Sequence, residues 1–410
     1  MPEYRATAGV AASTANDFLN CLEQVSSLLP LDRVRLAGAL DLAETAVGRS
    51  EPNPRVGCII GNASGLVFGS GATQRAGGAH AEVMALREAR AGGHSLRGAT
   101  AWVSLEPCSH HGRTPPCSQA LLEAGIGRCV ALHADPNPVV AGRGLEALRA
   151  HGVQVDLVAH QDPLALRGLE LNIGFFSRHA RGRPWVRAKV ACSADGRVAL
   201  NDGSAKWITG SAARDDGHVW RRRATAVLTG IGTVLADDPR LDVRAVTTDI
   251  QPWRVVLDGQ LRTPVSAAVT AIPERAVLVV APGAVGAVAW RDRGVTVWDD
   301  LAGPAGAARL MPVLEALSAR LDVNELHVEA GPTLTGALAQ AGLIDEWVIY
   351  MAPVLLGPGR PMAALPALAA LTSAERHEWL ESTMIGGDLR LRMQRSSRVD
   401  GLYRPPQGSA

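Results

Sequence analysis

From Leu31 onward the apolar positions Val34, Leu36, Ala37, Leu40 and Ala43 recur at helical spacing. The pattern stops at Gly48, where a left-handed residue can close a helix. An apolar run from Val56 to Ile60 predicts a strand, and Gly61, Asn62 and Gly65 turn it into Leu66 to Phe68 as a hairpin. The pattern then predicts a helix over 80–91, a strand Ala101 to Leu105, a helix Cys117 to Ala124 and a strand Cys129 to Leu132. A helix Arg143 to Ala150 and a strand Val153 to Val158 follow. Strands alternating with helices predict a three-layer α/β domain.

A second alternating series begins with strand Trp185 to Val190 and helix Ala212 to Arg223. Strands Ala226 to Thr229, Arg254 to Leu257 and Ala276 to Val280 come next, then helix Ala305 to Ala319 and strand Glu325 to Glu329. Helix Thr333 to Gln340 and strand Glu346 to Met351 complete the series. Segment 281–308 reads as loop plus a weak helix. Between the two series Arg178, Arg181 and Arg183 flank Gly182 and Pro184, a stretch expected to be solvated and kinked, so the domain join is placed near residue 180. Residues 1–29 read as a weakly ordered extension with a helical turn or two around Asp17 to Leu29. The expected organisation is therefore 1–29, a domain 30–180, a domain 181–398 and a tail 399–410.

Composition narrows the function classes. Lys and Arg number 41 against 40 Asp and Glu, a net charge of +1 with neither sign gathered into a run, so no nucleic acid or membrane surface is called for. Six cysteines are too sparse for a disulfide framework. The apolar run Ala276 to Trp290 is broken by Pro282 and falls short of the about 20 residues that span a bilayer. The N-terminal stretch has no apolar core of signal-peptide length, so a cytoplasmic protein is expected.

The sharpest chemical signal is His80-Ala81-Glu82 at a helix start, followed by Pro107-Cys108 after a strand and by Cys117 at the next helix start. One imidazole and two thiolates leave the fourth position of a tetrahedral Zn²⁺ free for water, which marks a catalytic rather than a structural site. Glu82 can reach that water without ligating the metal and can carry its proton, which is the equipment for hydrolytic deamination of an amino-heterocycle. Eight residues separate Cys108 from Cys117, where nucleic-acid base deaminases have two. The longer loop adds His110 and Arg113 at the mouth of the site, suited to a larger, phosphate-bearing substrate. A nucleic-acid deaminase and a scaffold with structural zinc are the rival readings.

These residues, together with Asn53-Pro54-Arg55-Val56-Gly57, Gly112-Arg113-Thr114-Pro115-Pro116-Cys117 and Asp135-Pro136-Asn137-Pro138, resemble the pyrimidine deaminase half of the bifunctional riboflavin-biosynthesis deaminase/reductases. The resemblance implies a cytidine-deaminase-like domain in which His80, Cys108 and Cys117 hold zinc and Glu82 moves the proton. It also implies that Asn53, His110, Arg113, Asp135 and Asn137 face the substrate.

The second half lacks G-x-G-x-x-G after its first strand, which speaks against a Rossmann site. Its two glycine turns, Thr229-Gly230-Ile231-Gly232-Thr233 and Glu329-Ala330-Gly331-Pro332-Thr333, are each weak signals of a phosphate site. Arg183-Pro184-Trp185, Ser193-Ala194-Asp195-Gly196, Lys206-Trp207-Ile208-Thr209-Gly210 and Gly232-Thr233-Val234-Leu235-Ala236-Asp237-Asp238-Pro239 resemble the reductase half of the same family, whose fold is similar to dihydrofolate reductase. That resemblance implies NADPH contacts at Ala191, Trp207, Thr233, Asp237, Gly331, Pro332 and Thr333. It places the phosphorylated sugar near Arg221, Leu241, Arg244 and Glu329. On the residues alone, Arg221 instead reads as part of a solvated run with Arg222 and Arg223. Ala205 stands where the family commonly has serine, with Ser204 beside it, which raises an active deaminase joined to an impaired reductase as the alternative. The implied partners are phosphoribosyl-pyrimidine small molecules, with self-association left open.

Overall fold

The computed structural model describes residues 24–25, 28–109, 116–301, 309–395 and 400–403. Its strands in chain order are β1 (Gln24–Val25), β2 (Gly57–Gly61), β3 (Val67–Ala72), β4 (Thr100–Val103), β5 (Arg128–Ala131) and β6 (Gln154–Val158). Next come β7 (Trp185–Ser193), β8 (Arg197–Leu200), β9 (Ala226–Gly230), β10 (Trp253–Leu257), β11 (Ala276–Val279) and β12 (Thr296–Trp298). The last are β13 (Glu325–Val328), β14 (Glu346–Ala352), β15 (Gly359–Pro361), β16 (Glu378–Ile385) and β17 (Asp388–Gln394). Among the described residues they form a six-stranded sheet ordered β1-β6-β5-β4-β2-β3, a nine-stranded sheet ordered β12-β11-β10-β9-β13-β7-β14-β17-β16, and the pair β15-β8.

In the first sheet β2 runs antiparallel to both its neighbours, while β4, β5, β6 and β1 are parallel. Every residue of β2 and β4 is buried, because helices lie on both faces. On one face Leu36, Ala39 and Leu40 of helix Pro30–Glu44 meet Ile59, Trp102 and Val130. On the other, Ala81, Ala85 and Ala89 of helix Ala81–Ala91 meet Cys58, Ile60, Ala101 and Val103. Leu36, Leu40 and Ile60 are fully buried, and each such side chain contributes about 2 kcal/mol of transfer free energy.

In the second sheet the strands from β12 through β14 are parallel, and the hairpin β16–β17 closes one edge antiparallel. Strand β13 inserts between β7 and β9, so successive connections leave in opposite directions from this point. A crevice opens at the carboxyl ends of such strands.

Several expectations are corrected. Residues 24–25 lie in an edge strand paired with Leu157 and Val158, not in a helical turn; most of the expected 1–29 extension falls outside the described residues. The join near 180 is not solvated: Arg178 and Arg181 belong to helix Ile173–Arg181, and the Arg183 fork donates to both oxygens of buried Asp345 at 2.7 and 2.8 Å. Leu402, in the expected tail, is buried in the first core beside Ile173 and Phe176. The helix expected from Ala305 begins at Leu310, and 302–308 fall outside the described residues. The weak helix expected within 281–308 is present as Ala287–Asp292. No helix among the described residues is long and apolar enough to cross a membrane.

Candidate active sites

The chemistry of the first domain gathers at one end of its sheet. Register pairs Gly57 with Ala72 and Cys58 with Val103, so the loop before β2, the segment after β3 and the segment after β4 share an edge. These carry Asn53, His80 and Cys108 respectively. At the start of helix Cys117–Glu123 the Cys117 N–H donates to Cys108 Sγ at 3.3 Å. His80 Nδ1 lies 3.6 Å from Cys108 Sγ and 3.3 Å from Cys117 Sγ, and the three ligand atoms lie within 4.8 Å of one another. Tetrahedral zinc with ordinary bond lengths sets N···S separations of about 3.5 Å, so the donor set fits this ion. A hydrogen bond from Cys117 lowers the Cys108 thiol, helped by His80, and the same bond together with burial pushes Cys117 up. Glu82, in the first turn of its helix and 3% exposed, is raised to about 7, first by burial and then by the Cys108 sulfur.

Glu106, one residue before Pro107, organises the neighbouring loop. Its carboxylate accepts from the backbone N–H groups of Asp135 (2.9 Å), Gly142 (2.8 Å), Gly144 (2.8 Å) and Leu145 (3.3 Å), at the start of helix Arg143–Ala150. Gly144 is required here, since a Cβ would lie 1.9 Å from the Pro107 carbonyl oxygen. Asp135 and Asn137 use their side-chain oxygens on the N–H groups of Asn137 and Val139, so both shape this loop themselves. The Asn53 backbone N–H donates to the Ser50 carbonyl at 2.9 Å, and its side-chain amide takes no hydrogen bond among the described residues. His110 and Arg113 lie outside the described residues.

In the second domain a cleft of about 1270 Å³ opens at the carboxyl ends of β7, β9 and β13. Ala191, Thr233, Asp237, Glu329, Gly331, Pro332 and Thr333 line it, as do Ser204 and Ala205. The two glycine turns face each other: a Cβ on Gly331 would sit 3.9 Å from Thr233 Oγ1. Trp207 stands outside this lining, 71% exposed, with the Arg214 guanidinium 4.6 Å over its ring. Leu241 and Arg244 also lie outside it; Arg244 donates to Asp242 at 2.6 Å and Leu241 is buried. Arg221 stands behind Glu329 and grips both its oxygens, the NH2 bond being 2.9 Å, so its fork is taken by protein. The solvated reading of 221–223 therefore fails: Arg222 donates to the Val47 carbonyl and Arg223 to Glu325. The sequence reading assigns no role to Lys189. Continuing the β7–β13 register, which pairs Arg187 with His327, sets Lys189 beside Glu329 at the cleft wall. Burial lowers its ammonium pKa, opposed by the Glu329 carboxylate. Its alternation with Arg187 and Ala191 on one face of β7 is the signal that finds it.

Two family models match. Residues 32–133 match the cytidine and deoxycytidylate deaminase zinc-binding region, and residues 184–389 match the RibD C-terminal domain. The riboflavin biosynthesis protein RibD of Escherichia coli (strain K12) is 40% identical over 386 residues, covering 88% of this chain and 99% of that protein. The chain belongs to the RibD family. RibD of Mycobacterium tuberculosis (strain H37Rv) is 39% identical over 358 residues, covering 86% and 94%. Among solved structures, Acinetobacter baumannii RibD superposes with a TM-score of 0.81 at 38% identity, covering 89% of this chain and 98% of that one. A diaminohydroxyphosphoribosylaminopyrimidine deaminase/5-amino-6-(5-phosphoribosylamino)uracil reductase from Thermotoga maritima gives 0.78 at 29% identity, covering 89% and 99%.

The zinc-binding deaminase region and the RibD reductase region thus follow one another as the two sheets do. The RibD match runs across Ala205, which lines the cleft beside Ser204, and nothing favours the impaired-reductase alternative.

Proposed function

We propose that this chain carries out two consecutive steps of riboflavin biosynthesis. The first half hydrolyses the 2-amino group of 2,5-diamino-6-(5-phosphoribosylamino)pyrimidin-4(3H)-one. The second half uses NADPH to reduce 5-amino-6-(5-phosphoribosylamino)uracil to its ribitylamino product. The observation that carries this reading is the convergence of His80, Cys108 and Cys117 beside the buried Glu82 carboxyl.

His80, Cys108 and Cys117 would hold zinc, which supplies Lewis-acid activation of water at neutral pH. Glu82 takes one proton of the attacking water and passes it to the ring nitrogen; it then takes the second proton from the new hydroxyl as that oxygen becomes the carbonyl and gives it to the amine, which leaves as ammonia when the C–N bond breaks. Asn53 offers a donor and an acceptor to the heterocycle edge, and Asp135, Asn137, His110 and Arg113 complete the substrate contacts.

In the second half the Gly331 turn opens helix Pro332–Gln340, whose free N–H groups suit the cofactor pyrophosphate. Ala191, Thr233 and Asp237 line the same cleft, and Trp207 follows Lys206, which also lines it. NADPH held in this cleft would supply a hydride for the sugar's C1′. The C1′–O4′ bond breaks, and Lys189 delivers the proton that O4′ requires as ribose opens. The Glu329 carboxylate favours the charged form of Lys189 against the cost of burial, and Arg221 holds Glu329. Leu241 and Arg244 remain candidates for the phosphate end of the substrate.

Such an enzyme works in the cytoplasm, where NADPH is regenerated. Incubation of the zinc-loaded protein with the diaminopyrimidinone, with and without NADPH, tests the reading. Ammonia is expected in both incubations and cofactor oxidation in the second. Zinc-loaded protein that releases no ammonia refutes it.

A further inference from the structure

The second domain reaches into the first through one buried polar cluster. Glu51 and Arg55, 9% and 2% exposed, lie on either side of Asn53 in the loop before β2. Glu51 Oε2 accepts from Thr225 Oγ1 at 2.9 Å and from Asn324 Nδ2 at 2.8 Å. The same Asn324 amide donates to the Pro52 carbonyl at 2.9 Å. Glu51 Oε1 accepts from Arg55 at 2.7 Å, and the other arm of Arg55 donates to Glu325 Oε1 at 2.7 Å. Asn172 fixes the Arg55 backbone through both its N–H (2.8 Å) and its carbonyl (2.9 Å).

Thr225 and Asn324 stand just before β9 and β13, at the amino-terminal edge of the reductase sheet. The reductase cleft opens at the opposite, carboxyl edge. The fit at this edge is close: a Cβ on Gly174 would meet Glu325 Cγ at 2.4 Å and the Asn324 carbonyl oxygen at 2.6 Å. Residues 51, 52 and 55 are thus held while the Asn53 side chain between them is left without a protein partner among the described residues. Its direction is set by the backbone that these clamps fix.

We propose that Asn324 and Thr225, residues of the reductase half, are positioning residues for deamination: they hold Glu51 and Pro52 and so aim Asn53 at the pyrimidine. This rests on the reading of Asn53 as a substrate contact. The covalent joining of the two halves then has a consequence beyond tethering, because the deaminase loop is completed by the far end of the reductase sheet.

The test uses the full-length, zinc-loaded protein. Ammonia release is measured against diaminopyrimidinone concentration, and NADPH oxidation is measured separately with the deaminated intermediate. Asn324→Ala and the near-isosteric Thr225→Val are each expected to raise the deaminase KM about tenfold, the binding cost of roughly one hydrogen bond, with kcat little changed. Reductase kcat/KM and zinc content stay at wild-type values, and Thr225→Ser restores the deaminase KM. Asn53→Ala is run alongside. If Asn53→Ala raises KM and the two clamp variants do not, the positioning role is refuted while the Asn53 reading survives. If Asn53→Ala leaves KM unchanged, the Asn53 reading falls and the inference with it. Equal loss of both activities in the Thr225→Val and Asn324→Ala proteins also overturns it, since that is what a merely structural cluster gives.

Discussion

Glu325 and Glu329 stand on one face of the same strand register, four residues apart, one at the domain interface and the other at the reductase cleft. Glu325 accepts Arg55 of the first domain together with Arg187 and Arg223 of the second, whereas Glu329 accepts Arg221 and borders the reductase cleft. At about 3.3 Å per residue they are separated by about 13 Å. Arginines hold both carboxylates well below the usual range against the opposing cost of burial. One strand therefore carries the domain interface at its start and the reducing site at its end.

Lys189→Met is expected to abolish the proton supply to O4′ and to lower reductase kcat about a thousandfold. Ammonia release should be unchanged. A reductase kcat within threefold of wild type would remove Lys189 from the mechanism.

Glu329→Gln leaves the Arg221 guanidinium, with 14% of its side chain exposed, without its anion. The folded state is expected to lose about 3 kcal/mol, read from urea unfolding. NADPH oxidation with the deaminated intermediate should fall about a hundredfold. Unchanged stability would mean that Arg221 finds another partner.

Glu106→Gln replaces one acceptor oxygen with an NH₂ group facing backbone donors. It is expected to cost about 2 kcal/mol and to weaken deamination by loosening the loop of Asp135 and Asn137. Glu106→Ala should be at least as costly. Stability matching wild type in both would show that helix Arg143–Ala150 needs no anion at its start.

The buried His133 ring should withdraw stability on acidification, opposite in sign to the raised Glu82 carboxyl. Burial lowers the His133 imidazole to about 4, against about 6.5 in the unfolded chain. The unfolded state therefore binds a proton that the native ring refuses. Stability present above pH 6.5 is lost as pH falls toward 4, by about 2 kcal/mol near pH 5 from this ring. Urea midpoints at pH 7.5 and 5 check this. His133→Gln, which can still donate to the Ala165 carbonyl bonded at 2.7 Å in the wild type, should flatten the difference; an undiminished pH slope in that variant would contradict it.

The deaminase site is legible in the sequence because its chemistry is local: His80 and Glu82 share one helix turn, and Cys108 and Cys117 begin where strand and helix patterns change. Arginine partnerships are not legible in the same way. Arg221, Arg222 and Arg223 read as a solvated run, yet each finds an acceptor from a distant segment, at Glu329, Val47 and Glu325. Helices Pro163–Leu171 and Ile173–Arg181 and the β16–β17 hairpin go unread for related reasons. In β17 the alternation Leu389-Arg390-Leu391-Arg392-Met393 does carry a strand signal, but its arginines look solvent-facing until Asp216, Glu346 and Glu381 are placed against them. Leu402 gives no periodic signal at all, and only the fold shows the chain end returning to the first core.

Metal content and the two activities measured on Cys117→Ser bear most directly on the central assignment. The wild-type protein should hold one zinc per chain and release ammonia from the diaminopyrimidinone. The variant should lose both, while its oxidation of NADPH with the deaminated intermediate continues. Full ammonia release from a zinc-free Cys117→Ser protein would contradict the account.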